Sequence, residues 1–221
     1  MVKENILLMG ASSEIAIQAE KILKENFNLY KVSRYESDQI NSLVIKDYVN
    51  DIESILEFIK SINNPKIIFF NGFLAENRDF QNPNLFEIKK TYELNFLIPY
   101  YLSLRISKES VNISKYIYIS SIAACKPRYK NYIYGLEKRK LEESVKQLGL
   151  SSSLIIRYGK VLTKMSQGHK NPPFTLTSIE AAYFLSQNLN KSGLIYPKFG
   201  LRLLAILIKV LPNIVIKKIA L

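Results

Sequence analysis

The chain has 221 residues, of which 48% are hydrophobic and 23% charged, with a formal net charge of +12 and one cysteine, Cys125. These proportions are typical of a folded globular domain and argue against intrinsic disorder or a polytopic membrane protein. A lone cysteine excludes an internal disulfide and a metal site built from several cysteines. The apolar run that follows Asn5 is too short for a signal peptide, so we expect a cytoplasmic protein.

The positive charge is compatible with nucleic acid, anionic lipid or phosphorylated small molecules as partners. The abundance of lysine, isoleucine and asparagine also suggests an AT-rich coding bias, which would make the charge uninformative. No helix-turn-helix, zinc-finger or aromatic RNA-binding motif accompanies it. We therefore predict no nucleic-acid partner.

Seven short β-rich runs alternate along the chain with segments of helical periodicity. Such alternation predicts an α/β fold, a Rossmann-like doubly wound parallel sheet of about seven strands flanked by helices. The predicted strands are 6–9, 29–32, 43–45, 67–70, 116–119, 154–156 and 194–196. The predicted helices are 15–23, 52–59, one that begins at Pro83 and includes Asn95, and 134–148.

The first strand runs into a tight turn that begins at Gly10 and contains Ser12, Ser13, Glu14 and Ile15. Backbone N–H groups at the start of the following helix are suited to hold a pyrophosphate. A carboxylate at Glu14 opposes such binding unless it points away. The turn therefore predicts a nucleotide site with one unfavourable side chain.

The second strand is followed by Ser33 and Arg34, where an acidic residue would bind both ribose hydroxyls of NAD. An arginine at this position can pair with a 2′-phosphate, so we predict NADP(H) in preference to NAD(H). The alternative is that Arg34 is a solvated surface residue.

A phenol and an ammonium lie four residues apart at Tyr134 and Lys138, on one face of a predicted helix. Nearby positive charge favours the phenolate, so we expect the pKa of Tyr134 to fall below its usual value of about 10. A tyrosine of this kind can act as general acid or base. Of the tyrosines, only Tyr134 has lysine four residues on, and Ser121, at the end of the fifth strand, precedes it by 13 residues.

This arrangement resembles the short-chain dehydrogenases/reductases, over essentially residues 3 to 200. The resemblance implies that Ser121 binds the substrate oxygen, Tyr134 transfers the proton, and Lys138 binds the nicotinamide ribose and lowers the tyrosine pKa. Asn95 falls where the family has an asparagine that holds a relay water. In the family's Gly-x-x-x-Gly-x-Gly turn, Gly10 is kept, whereas Glu14 and Ala16 replace the other glycines.

The same resemblance implies further contacts with the cofactor. Asp47 matches an acidic residue near the adenine, and Asn71-Gly72 matches an Asn-Ala-Gly turn. Tyr158 stands where the family has proline, which removes a rigid φ angle. The residues expected beside the nicotinamide are Gly159, Val161 and Thr163.

The function implied is an NADP(H)-dependent oxidoreductase that reduces a ketone, with oxidation of a secondary alcohol as the reverse reaction. The NAD(P)-binding domain would cover 1–198, and two long central helices would make a homodimer or homotetramer. An NADP(H)-binding sensor or scaffold without turnover is the alternative. Its test is nucleotide binding without any reaction.

The segment between Lys164 and Phe174 lies where the family varies its substrate lid. Lys164, His169 and Lys170 are suited to meet a phosphate or an anionic sugar, or they form a solvated basic loop. His169 is the only histidine, so we predict no metal site.

The last residues, 199–221, form an apolar and basic tail that is interrupted by Pro212 and by lysines, so it is a poor spanning helix. It suits either an anionic membrane surface or the packing of a subunit. The chain is similar to decaprenylphosphoryl-ribose 2-keto reductases in four segments: the first turn, the short lid, Ile195-Tyr196-Pro197 and this tail. That similarity implies a keto-sugar on a polyprenyl phosphate, polysaccharide or cell-envelope biosynthesis, and a location at the inner face of the membrane.

Overall fold

The computed structural model describes residues 3–35, 40–74, 84–127, 131–150, 152–167 and 171–212. Within them, seven parallel strands form one sheet in the order β3-β2-β1-β4-β5-β6-β9. The predicted doubly wound sheet is confirmed. Its strands are β1 (Asn5–Met9), β2 (Asn28–Ser33), β3 (Ser42–Val44), β4 (Lys66–Phe69), β5 (Lys115–Ser121), β6 (Leu154–Tyr158) and β9 (Gly193–Ile195).

Helices cover both faces of the sheet, because apolar side chains of the central strands point alternately to either side. The helices are α1 (Glu14–Leu23), α2 (Ile52–Lys60), α3 (Leu85–Tyr92), α4 (Ile98–Lys108), α5 (Tyr132–Gln147), α6 (Ser178–Ser186) and α7 (Phe199–Val210). Leu7 and Met9 of β1 pack on the face covered by α2, α4 and α5, whereas Ile6 and Leu8 pack on the face covered by α1 and α6.

A π-helical turn, Glu93–Leu97, joins α3 to α4 and makes them one continuous helical run. The helix predicted over this region is present from Leu85, while Pro83 lies outside the described residues. π-Turns insert one extra residue into a helix and are frequent at functional sites. Asn95 lies within this turn.

The C-terminal part adds a separate two-stranded sheet, β7 (Val161–Leu162) and β8 (Leu176–Thr177), that the sequence patterns did not predict. Helix α7 then packs through Leu201, Ala205 and Ile208 against residues just after β5. No helix in the described ranges is long and apolar enough to cross a membrane.

Candidate active site

The strand order reverses between β1 and β4, which is where parallel α/β sheets bind ligands. Gly10 follows β1 with a φ of +83°, and a Cβ built on it would lie 3.1 Å from the backbone N of Asn71, which follows β4. A side chain at position 10 would be strained and crowded. The glycine therefore allows two backbone segments to meet at the reversal point.

Asn71 is buried, and neither polar atom of its amide makes a hydrogen bond of normal length and angle with a described residue, although the amide is near enough to the Tyr48 hydroxyl to lower the pKa of that phenol. Orphaned buried polar groups are costly and mark sites where an external partner is expected. The adjacent Gly72 leaves room: a Cβ there would lie 3.4 Å from Asn95 Oδ1. These features fit a dinucleotide placed along the reversal point.

Helix α1 begins shortly after β1 and Gly10, at the same edge of the sheet. Ser13 caps this helix by accepting a hydrogen bond from the N–H of Ala16 at 3.1 Å, while Ser12 is exposed and Ile15 packs into the core beneath. Glu14 is not the cap of this helix, and its carboxylate accepts a hydrogen bond of 2.6 Å from the backbone N–H of Lys164.

Asn95 is fully buried and joins the π-turn to the segment that follows β4. Its amide nitrogen donates to the carbonyl oxygens of Phe73 (2.7 Å) and Thr91 (2.9 Å), and its Oδ1 accepts from Phe73 N–H at 3.4 Å. The predicted relay residue is thus at the reversal point, where it holds Gly72 and Phe73 in place.

Lys138 is 3% exposed, and its ammonium bridges the carboxyl ends of two strands. It donates to the carbonyl of Ile119 on β5 at 2.9 Å and to that of Asn71 at 3.4 Å. Burial lowers the pKa of Lys138 to about 8, and the nearby charge of Glu142 acts in the opposite direction.

Ser121 and Tyr134 are brought together at the end of β5. Burial raises the pKa of Tyr134 to about 12, while its hydrogen bond with Ser121 lowers that pKa. The expected fall of the tyrosine pKa below 10 is therefore wrong for this structure. The ammonium of Lys138 lies 5.9 Å from the centre of the Tyr134 ring and is directed to backbone carbonyls, so desolvation dominates.

The residues predicted to contact the adenosine half of the cofactor, Arg34 and Asp47, follow β2 and β3. Arg34 is exposed, and its charge lowers the pKa of buried Tyr48, although burial, the larger effect, raises that pKa to about 12. The Oδ1 atom of Asp47 accepts from the N–H groups of Val49 (2.8 Å) and Asn50 (3.0 Å). Asp47 thus holds the turn before α2, a structural task that the sequence did not predict.

The residues predicted to lie beside the nicotinamide follow β6, in a segment that is closed by hydrogen bonds. The hydroxyl of Ser166 donates to the carbonyl of Val161 at 2.7 Å and accepts from the N–H of Thr163 at 3.2 Å. Gly159 is close to α7, since a Cβ there would lie 3.2 Å from Leu201 Cδ1. Tyr158, which stands where the resemblance implies a proline, anchors the strand through its hydroxyl, which donates to the Ala181 carbonyl at 2.7 Å.

A buried polar cluster lies beneath the site, and sequence reasoning missed it. Arg157 on β6 forms an ion pair with Glu142 on α5, and both side chains are less than a tenth exposed. Ser120 donates to Glu142 at 2.5 Å, and Arg157 donates to Cys125 Sγ (3.2 Å) and to the Tyr196 hydroxyl (2.7 Å). The cluster ties β5, β6 and α5 together next to Ser121.

Solved structures with the same architecture include short-chain dehydrogenases and other dehydrogenases and reductases. A short-chain dehydrogenase from Burkholderia cenocepacia in complex with NADP is 14% identical, with a TM-score of 0.75 over 95% of this chain and 98% of that one. A 3-oxoacyl-[acyl-carrier protein] reductase from Brucella melitensis in complex with NAD is 13% identical, with a TM-score of 0.73 over 92% and 98%. The aldohexose dehydrogenase of Thermoplasma acidophilum is 14% identical, with a TM-score of 0.71 over 91% and 94%.

The fold is that of the short-chain dehydrogenases. No protein-family model matches the chain, and no curated relative does. At such low identities the likeness shows the fold alone. The roles of individual residues therefore depend on the geometry of this site.

Proposed function

We propose that this protein is an NADP(H)-dependent oxidoreductase that reduces a ketone to a secondary alcohol. The observation that carries the proposal is the meeting of Ser121, Tyr134 and Lys138 at the carboxyl end of β5, beside the reversal point of the sheet. Asn71 and Gly10 supply the neighbouring crevice.

In the direction of reduction, the hydroxyl of Ser121 would bind the substrate's carbonyl oxygen and the phenol of Tyr134 would give it a proton. The nicotinamide supplies the hydride to the carbonyl carbon when the cofactor is bound. Lys138 would bind the nicotinamide ribose, and Asn95 would hold the relay water. One ketone, one NADPH and one proton thus give one alcohol and one NADP⁺.

NADP(H) is the preferred cofactor in this proposal because Arg34 is exposed at the end of β2, where its guanidinium is available for a 2′-phosphate. Asp47, Ser12, Ser13 and Ile15 would line the adenosine and pyrophosphate. The solved neighbours include complexes with NADP and with NAD, so the fold accepts both dinucleotides.

The substrate class that we propose is a keto-sugar, either free or carried on a polyprenyl phosphate for polysaccharide or cell-envelope synthesis. The similarity of the turn, lid and tail to decaprenylphosphoryl-ribose 2-keto reductases supports it. One solved neighbour is an aldohexose dehydrogenase, so a protein with this fold can act on a sugar. Lys164 beside the site would favour an anionic sugar, whereas His169 and Lys170 lie outside the described residues.

The test is NADPH oxidation with purified protein and a panel of keto-sugars and simple ketones. Tyr134→Phe removes the proton donor, so turnover should fall at least a thousandfold, roughly the contribution of general acid catalysis, while NADPH affinity stays within about threefold. Tyr183→Phe, at an exposed tyrosine on α6, is the matched control and should keep full activity. NADPH binding without turnover on any ketone would support a sensor or scaffold instead.

A peripheral membrane contact through 199–221 belongs to this proposal. The outer face of α7 carries five exposed apolar side chains, and no acidic residue follows Glu180 in the sequence. Such a face suits an anionic lipid surface. The apolar residues are Phe199, Leu203, Ile206, Leu207 and Val210.

Vesicle sedimentation tests this contact. The wild type should sediment with phosphatidylglycerol vesicles and not with phosphatidylcholine vesicles, and the variant L203S/I206S should remain in solution. Val44→Ser, at an exposed apolar residue of the edge strand β3, should behave as wild type. Concentration-dependent self-association that the double variant abolishes would instead assign the face to subunit packing.

We propose a homodimer or homotetramer through α4 and α5, which sedimentation velocity would measure.

A further inference from the structure

Glu14 links two elements that are 150 residues apart in the sequence. It is the first residue of α1, and its carboxylate accepts the N–H of Lys164 at 2.6 Å. The contact lies at the carboxyl edge of the sheet, where ligands of this fold enter. It therefore spans part of the proposed cofactor crevice.

The carboxylate is available for this contact because another side chain caps the helix. Ser13 already serves α1 by accepting the N–H of Ala16. A carboxylate in the first turn is also favoured by the helix dipole. Its hydrogen bond to Lys164 directs the carboxylate towards residues 161–166.

The opposite wall of the crevice is a compact unit, residues 161–166, whose first two residues pair with β8. Ser166 bonds to both Val161 and Thr163, and Lys164 begins the short turn that these bonds close. Met165 reaches the other side of the crevice, since its Cε lies 4.0 Å from a Cβ built on Gly72. Holding the N–H of Lys164 thus holds the whole unit across the crevice.

We propose that Glu14 is a positioning residue, a latch that holds residues 161–166 over the cofactor crevice. The effect on the cofactor rests on the function proposed above. The latch depends on the reach of the side chain, because the accepting oxygen must lie within hydrogen-bond distance of a backbone N–H on another segment. Release of the latch frees Thr163 and lets the dinucleotide leave faster.

Three substitutions separate reach from charge. Glu14→Gln keeps the length and an accepting oxygen without the charge, Glu14→Asp keeps the charge but is one methylene shorter, and Glu14→Ala loses both. We expect Gln to behave as wild type within about threefold, and Asp and Ala to raise the NADPH dissociation rate constant roughly tenfold, as expected for one lost hydrogen bond. Glu53→Ala removes the corresponding first-turn glutamate of α2 together with its ion pair with Arg105, and it controls for the loss of a first-turn carboxylate that makes a tertiary contact away from the crevice.

Two measurements test whether Glu14 holds residues 161–166 in place. Stopped-flow fluorescence gives the NADPH dissociation rate, and hydrogen exchange at the Lys164 amide reports the latch without nucleotide. Faster exchange in the Asp and Ala variants only, with the same ranking of dissociation rates, supports the latch. Equal exchange in all variants, or a ranking in which Asp resembles wild type and Gln resembles Ala, overturns it.

The two proposals fail separately. A wild-type protein that does not bind NADPH would refute the cofactor assignment, while amide exchange would still show whether Glu14 holds Lys164. Conversely, normal turnover with unchanged exchange in Glu14→Ala would refute the latch and leave the reductase assignment intact.

Discussion

The ammonium of Lys138 on α5 donates a hydrogen bond to the carbonyl of Ile119 on β5, at 2.9 Å. This bond places the helix that carries Tyr134 against the strand that ends at Ser121. It also keeps a positive charge in a desolvated position, and the lowered pKa of Lys138, about 8, is the result.

The stability of the protein should therefore depend on pH through Lys138. The pKa is about 8 in the folded protein and 10.5 in the unfolded chain, so between these values the unfolded chain binds more protons. The free energy of unfolding should rise with pH across this window, by about 1 to 2 kcal/mol from pH 7.5 to 9.5. Urea denaturation at both pH values measures it.

Lys138→Met is the control for this effect, because it keeps a long apolar side chain and cannot titrate. The difference in unfolding free energy between wild type and variant should change with pH by the amount given above. Parallel stability curves for the two proteins would contradict a lowered lysine pKa.

Gly135 should not tolerate a side chain, although alanine favours helices by about 1 kcal/mol. A Cβ at this position of α5 would lie 2.7 Å from the carbonyl oxygen of Ala123 and 3.2 Å from Pro127 Cα. We expect Gly135→Ala to lower the unfolding free energy by about 1 to 3 kcal/mol and to reduce turnover, because Tyr134 is adjacent. Glu143→Ala, exposed on the same helix, should be neutral. A stabilised Gly135→Ala would show that this approach is not tight.

The buried pair of Arg157 and Glu142 should be more sensitive to single than to double substitution. Arg157→Met leaves Glu142 buried without its cation, which costs about 3 to 5 kcal/mol of unfolding free energy. Replacing Glu142 by leucine in the same protein removes that penalty, so the double variant should regain most of the loss. Chemical denaturation of the four proteins in the cycle measures the coupling; additive losses would contradict it.

Arg34 should determine the preference between the two dinucleotides. Arg34→Ala removes a guanidinium from an exposed position, so folding should be unaffected. Affinity for NADPH should fall roughly tenfold to a hundredfold, whereas that for NADH should change less than threefold, because only NADPH carries the 2′-phosphate. Fluorescence titration with both nucleotides tests this. Equal losses of affinity for NADPH and NADH would show that Arg34 does not bind the 2′-phosphate.

The central strands β1, β4, β5 and β6 could be predicted from the sequence because each is a short, largely apolar run buried on both faces, whereas the edge strands β3 and β9 are less buried. The convergence of Ser121, Tyr134 and Lys138 was also foreseeable, since a strand end and one helix face bring them together. The two-residue strands β7 and β8 could not be found, because such short segments have no measurable periodicity.

Other parts of the site depend on contacts between distant segments. The bond from Glu14 to Lys164 and the cluster around Arg157 join residues that no local pattern relates. The predicted direction of the Tyr134 pKa shift was wrong. Residue spacing along a helix indicates how close a charge lies to the phenol, but it does not show how strongly burial desolvates that phenol. Asn95 was recognised by resemblance, but the π-turn that contains it has no signature in the sequence.

The close approach of Gly10 to Asn71 has a consequence for substitution tolerance across the first turn. Only position 10 combines a left-handed φ with backbone at 3.1 Å; neither Glu14 nor Ala16 has a positive φ. In a library randomised at these three positions and selected for folding and nucleotide retention, glycine alone should survive at position 10. Small residues should survive at the fully buried position 16, and at position 14 the side chains long enough to reach Lys164 should be enriched.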